Sequence, residues 1–140
     1  MAKDNIIIRK IWQDSELAQL EVTCTSSVAT AITKIYVSDE LIDELICKIS
    51  AFLDGCCEES EWANESRGNF STACVSFHLI KKDKLGHILI EVFAELEDGG
   101  DYAKHNSCFF VNTEYGCLRR FCSALPFLKS DYSECEIHLN

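Results

Sequence analysis

Apolar and polar residues alternate in the first third of the chain, and this alternation predicts β-strands. From residue 18 to residue 24 every second residue is apolar and the intervening residues are polar, which is typical of a strand with one buried face. Residues 5–12 hold three consecutive isoleucines, and residues 28–37 are rich in β-branched side chains. Both compositions favour strands, so three strands are expected before residue 38.

The spacing of apolar residues then changes to that of a helix. Ser38 occupies the N-cap position, and Asp39 and Glu40 follow in the first turn, where carboxylates stabilise the helix dipole. The apolar residues of the predicted helix face are Leu41, Ile42, Leu45, Ile46, Ile49, Phe52 and Leu53. Gly55 ends the pattern, so a helix is predicted from Asp39 to just before Gly55.

Further strands are predicted in the second half of the chain. Residues 54–70 are interpreted as a long acidic connection, after which residues 73–79 and 88–94 alternate as the two strands of a hairpin. Residues 107–113 form the next strand, and residues 136–139 form a short last one.

A second amphipathic helix is predicted between these last two strands. Either Asn112 or Thr113 can cap its first turn, and Pro126 ends or kinks it. Its apolar face consists of Leu118, Phe121, Cys122 and Leu125. As in the first helix, this single apolar stripe has to be buried against other elements.

These elements predict one α+β domain over residues 1–140. We expect an antiparallel sheet of about six strands with both helices packed on one face. Three strands followed by a helix occur in each of the halves 5–55 and 70–129, which indicates a duplicated βββα unit. The alternative is that any strand leading into a capped helix has this appearance, and both interpretations stay open.

The charge of the chain limits its partners. Acidic residues outnumber basic ones by 23 to 13, and the formal net charge is −10. Such a chain repels nucleic acid and anionic membranes and attracts basic proteins. The apolar run near the N-terminus is too short for a secretory signal, and no stretch reaches the length of about 20 apolar residues of a membrane span. A cytoplasmic location is expected.

The nine cysteines are predicted to be free thiols. Their number is odd and no signal peptide is recognised. Structural zinc sites use paired thiols such as C-x-x-C, and the sequence has no such pair. Cys56 and Cys57 point apart in an extended chain, and Cys117 and Cys122 lie about 140° apart around a helix. We predict no metal and no other cofactor.

No catalytic residues are predicted. Cys74, Ser76 and His78 lie on one face of a predicted strand, which places two nucleophiles and a base in the same segment. Cys74 and His78 are nevertheless about 13 Å apart along such a strand. That distance is beyond the hydrogen-bonding reach that activates a nucleophile.

The predicted hairpin supplies a candidate surface for protein binding. If Leu79 pairs with Ile88, Ser76 lies opposite Glu91. The outer face of the sheet then carries Ser76, His78, Glu91 and Phe93. It is either a solvated surface or a recognition surface, since antiparallel sheets commonly leave one side open.

A second group of candidates lies in the acidic connection. Glu58, Glu59 and Glu61 precede Trp62, which is the large apolar residue of this segment. Together with the acidic turn at residues 95–101, they either form an electronegative surface for a basic partner or simply keep the domain soluble.

Protein binding is the predicted function. The residues assigned to it are Glu58, Glu59, Glu61, Trp62, Ser76, His78, Glu91 and Phe93. The alternative is a small-molecule-binding or enzymatic domain built on His78, His87 and Glu91, which requires a deep pocket lined by all three residues.

The second half of the chain also resembles a family of small uncharacterised bacterial domains. The likeness rests on Glu61-Trp62, on Gly86-His87-Ile88 at the start of a strand, and on Phe110-Val111-Asn112-Thr113-Glu114 before a helix. The resemblance implies a bacterial origin. Some of these domains are similar to immunity proteins of toxin systems, which are small and acidic and lack a catalytic centre, and this implies an immunity-like or regulatory role.

Overall fold

A computed structural model describes residues 3–65, 73–96, 105–129 and 135–140 and confirms the α+β class. The strands are β1 (Asn5–Gln13), β2 (Ala18–Thr25), β3 (Thr30–Val37), β4 (Glu59–Ala63), β5 (Cys74–Lys81), β6 (His87–Leu96), β7 (His105–Glu114) and β8 (Glu136–His138). The helices are α1 (Asp39–Leu53), α2 (Tyr115–Ala124) and a short 3-10 helix at Leu125–Leu128. No described helix is both long and apolar enough to span a membrane.

The strands form two antiparallel sheets of four, and the predicted single sheet of about six strands was wrong. Sheet A has the order β3-β2-β1-β8, and sheet B has the order β4-β5-β6-β7. β4 was not predicted, because it lies within the segment interpreted as an acidic connection. The predicted short last strand is present as β8 and pairs with β1.

One hydrophobic core joins both sheets and both helices. Buried and exposed side chains alternate strictly along β3, so one face of sheet A is turned toward this core. α1 packs against α2 and β4 through an apolar face that includes Leu45 and Ile49. The predicted cap is confirmed, because the Ser38 hydroxyl accepts a hydrogen bond from the Leu41 amide at 3.3 Å.

Neither residue predicted to cap α2 does so. The N-cap is Glu114, and its side chain makes no capping hydrogen bond. Thr113 instead donates to Oδ1 of Asn140 at 2.7 Å, and the Asn112 side chain donates to Oδ2 of Asp4 at 2.9 Å. Both side chains are therefore used in contacts with the chain ends, which the local sequence does not reveal.

The structure does not match the predicted duplication. Sheet A needs β8, which lies outside the half 5–55, and sheet B needs β4, which lies outside the half 70–129. Each sheet is thus completed by a strand from beyond the proposed repeat, so the halves 5–55 and 70–129 are not self-contained βββα units.

Candidate protein-binding face

One face of sheet B points away from the core and carries most of the predicted binding residues; we call it the outer face. Its members are Glu59, Glu61 and Ala63 of β4, Ser76, His78 and Ile80 of β5, Leu89, Glu91 and Phe93 of β6, and Cys108, Phe110 and Asn112 of β7. Residues of opposite phase, such as Val75 and Val92, are fully buried. The fold therefore places six of the eight predicted residues on one face, namely Glu59, Glu61, Ser76, His78, Glu91 and Phe93. Ser76 is only 2% exposed, and Cys74 and Glu95 beyond it are buried as well, so the accessible part of the face is the end that carries Glu59, Glu61, His78 and Glu91.

A row of side chains crosses the outer face from β4 to β7. Glu61 lies opposite His78. His78 lies opposite Glu91, and Glu91 lies opposite Phe110. The predicted pairing of Ser76 with Glu91 was wrong by a shift of two residues along β5. The shift brings the histidine, rather than the serine, between two carboxylates.

The turn between β5 and β6 sets this register. Asp83 Oδ1 accepts hydrogen bonds from the amides of Leu85 at 2.7 Å and His87 at 3.3 Å, and Gly86 has a φ of +92°. Both features are typical of tight turns. The turn closes with a hydrogen bond of 3.0 Å from the Lys82 amide to the His87 carbonyl. The predicted register centres the turn one residue earlier, which would place Gly86 opposite Lys81 within the ladder instead of in the turn.

Carboxylates surround His78 on the outer face. Its Nε2 lies 3.7 Å from Oε2 of Glu59, and the side chains of His78 and Glu59 are 28% and 61% exposed. Glu61 and Glu91 are its direct neighbours on the adjacent strands. An exposed ion pair of this kind contributes little to stability. The cluster therefore adds little to the stability of the sheet.

Apolar side chains lie beside these charges. Ile80, Leu89 and Phe93 are partly buried, and Phe110 is 47% exposed. The sequence analysis did not select Phe110. The available signal was its phase, because the buried residues of β7 alternate through Phe109 and therefore direct Phe110 to the other face.

Two predicted binding residues lie elsewhere. Trp62 is in the core, only 4% exposed, where its ring stacks on Phe77 at 5.8 Å and its indole N–H donates to the Leu41 carbonyl at 3.0 Å. Glu58 precedes β4 and lines a cleft beside Lys81. A lone large apolar residue in a short strand is thus the anchor of that strand rather than a contact for a partner.

His87 does not join His78 and Glu91. It lies four residues from Glu91 along β6, which corresponds to about 13 Å. Its Nδ1 lies 2.6 Å from Oδ2 of Asp83, and this hydrogen bond holds the pKa of Asp83 below its usual value. His87 lines a cleft of about 430 Å³ together with Lys82, and neither His78 nor Glu91 lines that cleft. The three residues of the enzymatic alternative therefore do not converge.

All nine cysteines lie in the described segments, and none of them forms a disulfide. Cys24, Cys74 and Cys122 are buried. The thiol of Cys74 donates to the Glu65 carbonyl at 3.0 Å and that of Cys122 to the Ile46 carbonyl at 3.7 Å. The part of the chain that the structure describes contains no group of three or more His, Cys, Asp or Glu side chains arranged to hold a metal ion.

Comparisons of the chain with models of protein families, with curated proteins and with solved structures find no match. The resemblance to small bacterial domains stays a prediction. Functional inference therefore rests on the geometry and charge of the outer face.

Proposed function

We propose that this domain binds a basic protein through the outer face of sheet B and acts in an immunity-like or regulatory role. The observation that carries the proposal is the row from Glu61 through His78 and Glu91 to Phe110. It places acidic and apolar groups side by side on a sheet face, and interfaces combine an apolar centre with a charged surround in the same way.

The charge of the whole chain supports the same partner class. A formal net charge of −10 attracts a basic protein from solution and accelerates its association. The acids of the outer face then orient the encounter, because complementary charges set orientation and association rate more than final affinity.

Capture of the partner from the source cell with the tagged domain, followed by association kinetics, tests the proposal. The association rate constant is expected to fall as salt rises, since exposed charges are screened over about 8 Å at physiological ionic strength. The rate is measured with the purified partner at low and at physiological ionic strength.

Two charge-reversed variants separate the outer face from net charge. Glu59→Lys with Glu61→Lys changes the face, whereas Glu16→Lys with Glu40→Lys gives the same change in net charge at exposed positions outside it. The first pair is expected to slow association by about tenfold or more, the lower end of electrostatic rate effects. The second pair should act much more weakly.

Neither pair should change the free energy of unfolding by more than about 0.5 kcal/mol, as is usual for surface substitutions. If both pairs slow association equally, net charge explains the effect and the outer face is not the binding surface. A partner whose association responds neither to salt nor to the first pair would contradict the proposal as a whole.

A further inference from the structure

Sheet B ends in two edge strands, β4 and β7, and these edges differ. The edge of β4 is covered by α1, where Lys48 Nζ donates to the Glu61 carbonyl at 2.6 Å and Leu41 accepts the Trp62 indole N–H. No described strand pairs with the free side of β7. An edge of this kind presents backbone donors and acceptors to a further strand.

The hydrogen bonds of β7 identify the residues that face this edge. The Tyr115 amide donates to the Gly86 carbonyl at 2.9 Å, which extends the ladder between β6 and β7. In an antiparallel pair, alternate residues turn their backbone groups toward the neighbouring strand. Residues in step with Tyr115, such as Val111, therefore bond to β6, while Phe110 and Cys108 turn their amides and carbonyls outward.

One end of the edge is closed by the chain's own side chains. The Asn112 amide donates to Oδ2 of Asp4 at 2.8 Å, and its carbonyl accepts from Nδ2 of Asn140 at 2.9 Å. This confirms that residues in step with Asn112 face outward. Within the described segments, no backbone hydrogen bond occupies the outward groups of the next three, Phe110, Cys108 and Asn106. All three residues are exposed.

We propose that an extended segment of the partner, carrying arginine or lysine, pairs with β7 between Asn106 and Phe110 as a fifth strand of sheet B. The basic character of this segment rests on the proposed function. Strand addition of this type draws affinity from backbone hydrogen bonds and specificity from alternate side chains. It continues the outer face without any rearrangement of the sheet.

The residue row explains why a basic side chain fits. A partner residue paired with Phe110 on the outer face lies at the end of the row through Glu91 and His78. An arginine there stacks on the Phe110 ring, a favourable cation–π contact, and points toward the Glu91 carboxylate. A second copy of this chain is a poorer occupant, because each copy carries a formal net charge of −10 and like charges repel.

Two synthetic peptides of about eight residues, an ordinary strand length, test the inference. One alternates arginine with threonine, and the other has aspartate in place of arginine. Amide hydrogen exchange and chemical shifts of the ¹⁵N-labelled domain are followed during titration. We expect the arginine peptide to slow exchange at Asn106, Cys108 and Phe110, and the aspartate peptide to have no effect.

A matched pair of variants separates backbone pairing from side-chain contact. Cys108→Pro removes the outward amide, which edge positions tolerate because no ladder bond is lost, whereas Cys108→Thr keeps it. The arginine peptide should bind Cys108→Pro at least about tenfold more weakly, a change of about 1.4 kcal/mol, and Cys108→Thr almost as well as the unaltered chain. If Cys108→Pro does not fold, the exchange data on the unaltered chain decide.

The possible failures are distinct. Shifts of the outer face without protection of the three amides would overturn strand pairing and leave the proposed function standing. Equal binding of both peptides, or no binding of the arginine peptide, would overturn the basic segment, while the salt dependence of the captured partner tests the proposed function separately. If exchange at these three amides slows as the protein concentration rises, without any peptide, the edge pairs with a second copy of the chain. That result would overturn the inference.

Discussion

At the scale of single residues, Thr33 buries a hydroxyl that has no hydrogen-bond partner among the described residues. It is 3% exposed and lies opposite Val22 on the core side of sheet A. Since an unsatisfied buried polar group is unfavourable, Thr33→Val should leave the free energy of unfolding unchanged or raise it by about 1 kcal/mol. Urea unfolding measures the effect. Thr30→Val, on the exposed side of β3, is the control, and a clear loss of stability in Thr33→Val alone would contradict this expectation.

Cys24 should make the free energy of unfolding fall at alkaline pH. Burial raises the pKa of its thiol from 9.0 to about 12. Above pH 9 the unfolded chain releases this proton and the folded chain keeps it, so the contribution to stability is complete below pH 9 and is lost as the pH rises toward 12. The loss is about 1.4 kcal/mol for each pH unit in that window.

Cys24→Ala is therefore expected to flatten the fall in unfolding free energy between about pH 9 and pH 11. Denaturant titrations at several pH values measure the slope. Cys47→Ala, at an exposed position of α1, should retain the slope of the unaltered chain. If the slope is the same in all three proteins, Cys24 is not the titrating group.

At the scale of elements, two glycines should respond in opposite directions to the same substitution. Gly86, in the turn before β6, has a φ of +92°, where a side chain is strained although the nearest atom to an added Cβ, Tyr115 Cβ, is 3.7 Å away. Gly86→Ala should destabilise by about 1–2 kcal/mol. Gly116 lies in α2, where an added Cβ would meet Nη1 of Arg120 at an ordinary contact distance of 3.8 Å, so Gly116→Ala should stabilise by about 0.5–1 kcal/mol. Thermal or urea unfolding of both variants checks the signs, and two changes of equal sign would show that strain at Gly86 is not the cause.

The elements also show what the sequence could predict. α1 was predictable because a cap at Ser38 and an apolar stripe through Leu45 agree with each other. β4 was not, because Glu59–Ala63 contains one buried residue, Trp62. That strand exists through its pairing with β5 and its contact with α1, and such tertiary contacts leave no local periodicity.

For the candidate site, the sequence predicted the face of each strand but not the register between the strands. Period-two alternation correctly places Ser76 and His78 on one face with Glu91 and Phe93. Which residues lie opposite each other depends on where the turn is centred, and the side-chain hydrogen bonds of Asp83 fix that position. Alternation fixes the face of a strand and leaves its register open by steps of two residues.

At the scale of the whole molecule, Asn140 ties the two sheets together. Its Nδ2 donates to the Asp4 carbonyl at 2.7 Å and to the Asn112 carbonyl at 2.9 Å, and its Oδ1 accepts from the Thr113 hydroxyl at 2.7 Å. Asn140→Ala leaves the buried Thr113 hydroxyl without this acceptor, so a loss of about 1–3 kcal/mol is expected.

Urea unfolding measures this loss, and hydrogen exchange at the Asn112 amide should accelerate at the same time. His138→Ala is the matched control, because His138 is exposed on β8 and its ion pair with Glu136 lies at the surface. A loss in His138→Ala as large as that in Asn140→Ala would assign the effect to β8 as a whole and not to the junction.

β1 pairs with β8, with Ile8 opposite Ile137. This pairing means that sheet A cannot be completed until β8 has been translated. Translation proceeds at about 5–20 residues per second, so β1 waits several seconds for residues 136–138 after its own synthesis. During that time one side of β1 is an unpaired edge next to Ile6 and Ile8, and such edges recruit strands from other chains. Nascent chains stalled before residue 136 thus expose this edge, and sheet A closes only after β8 has been synthesised.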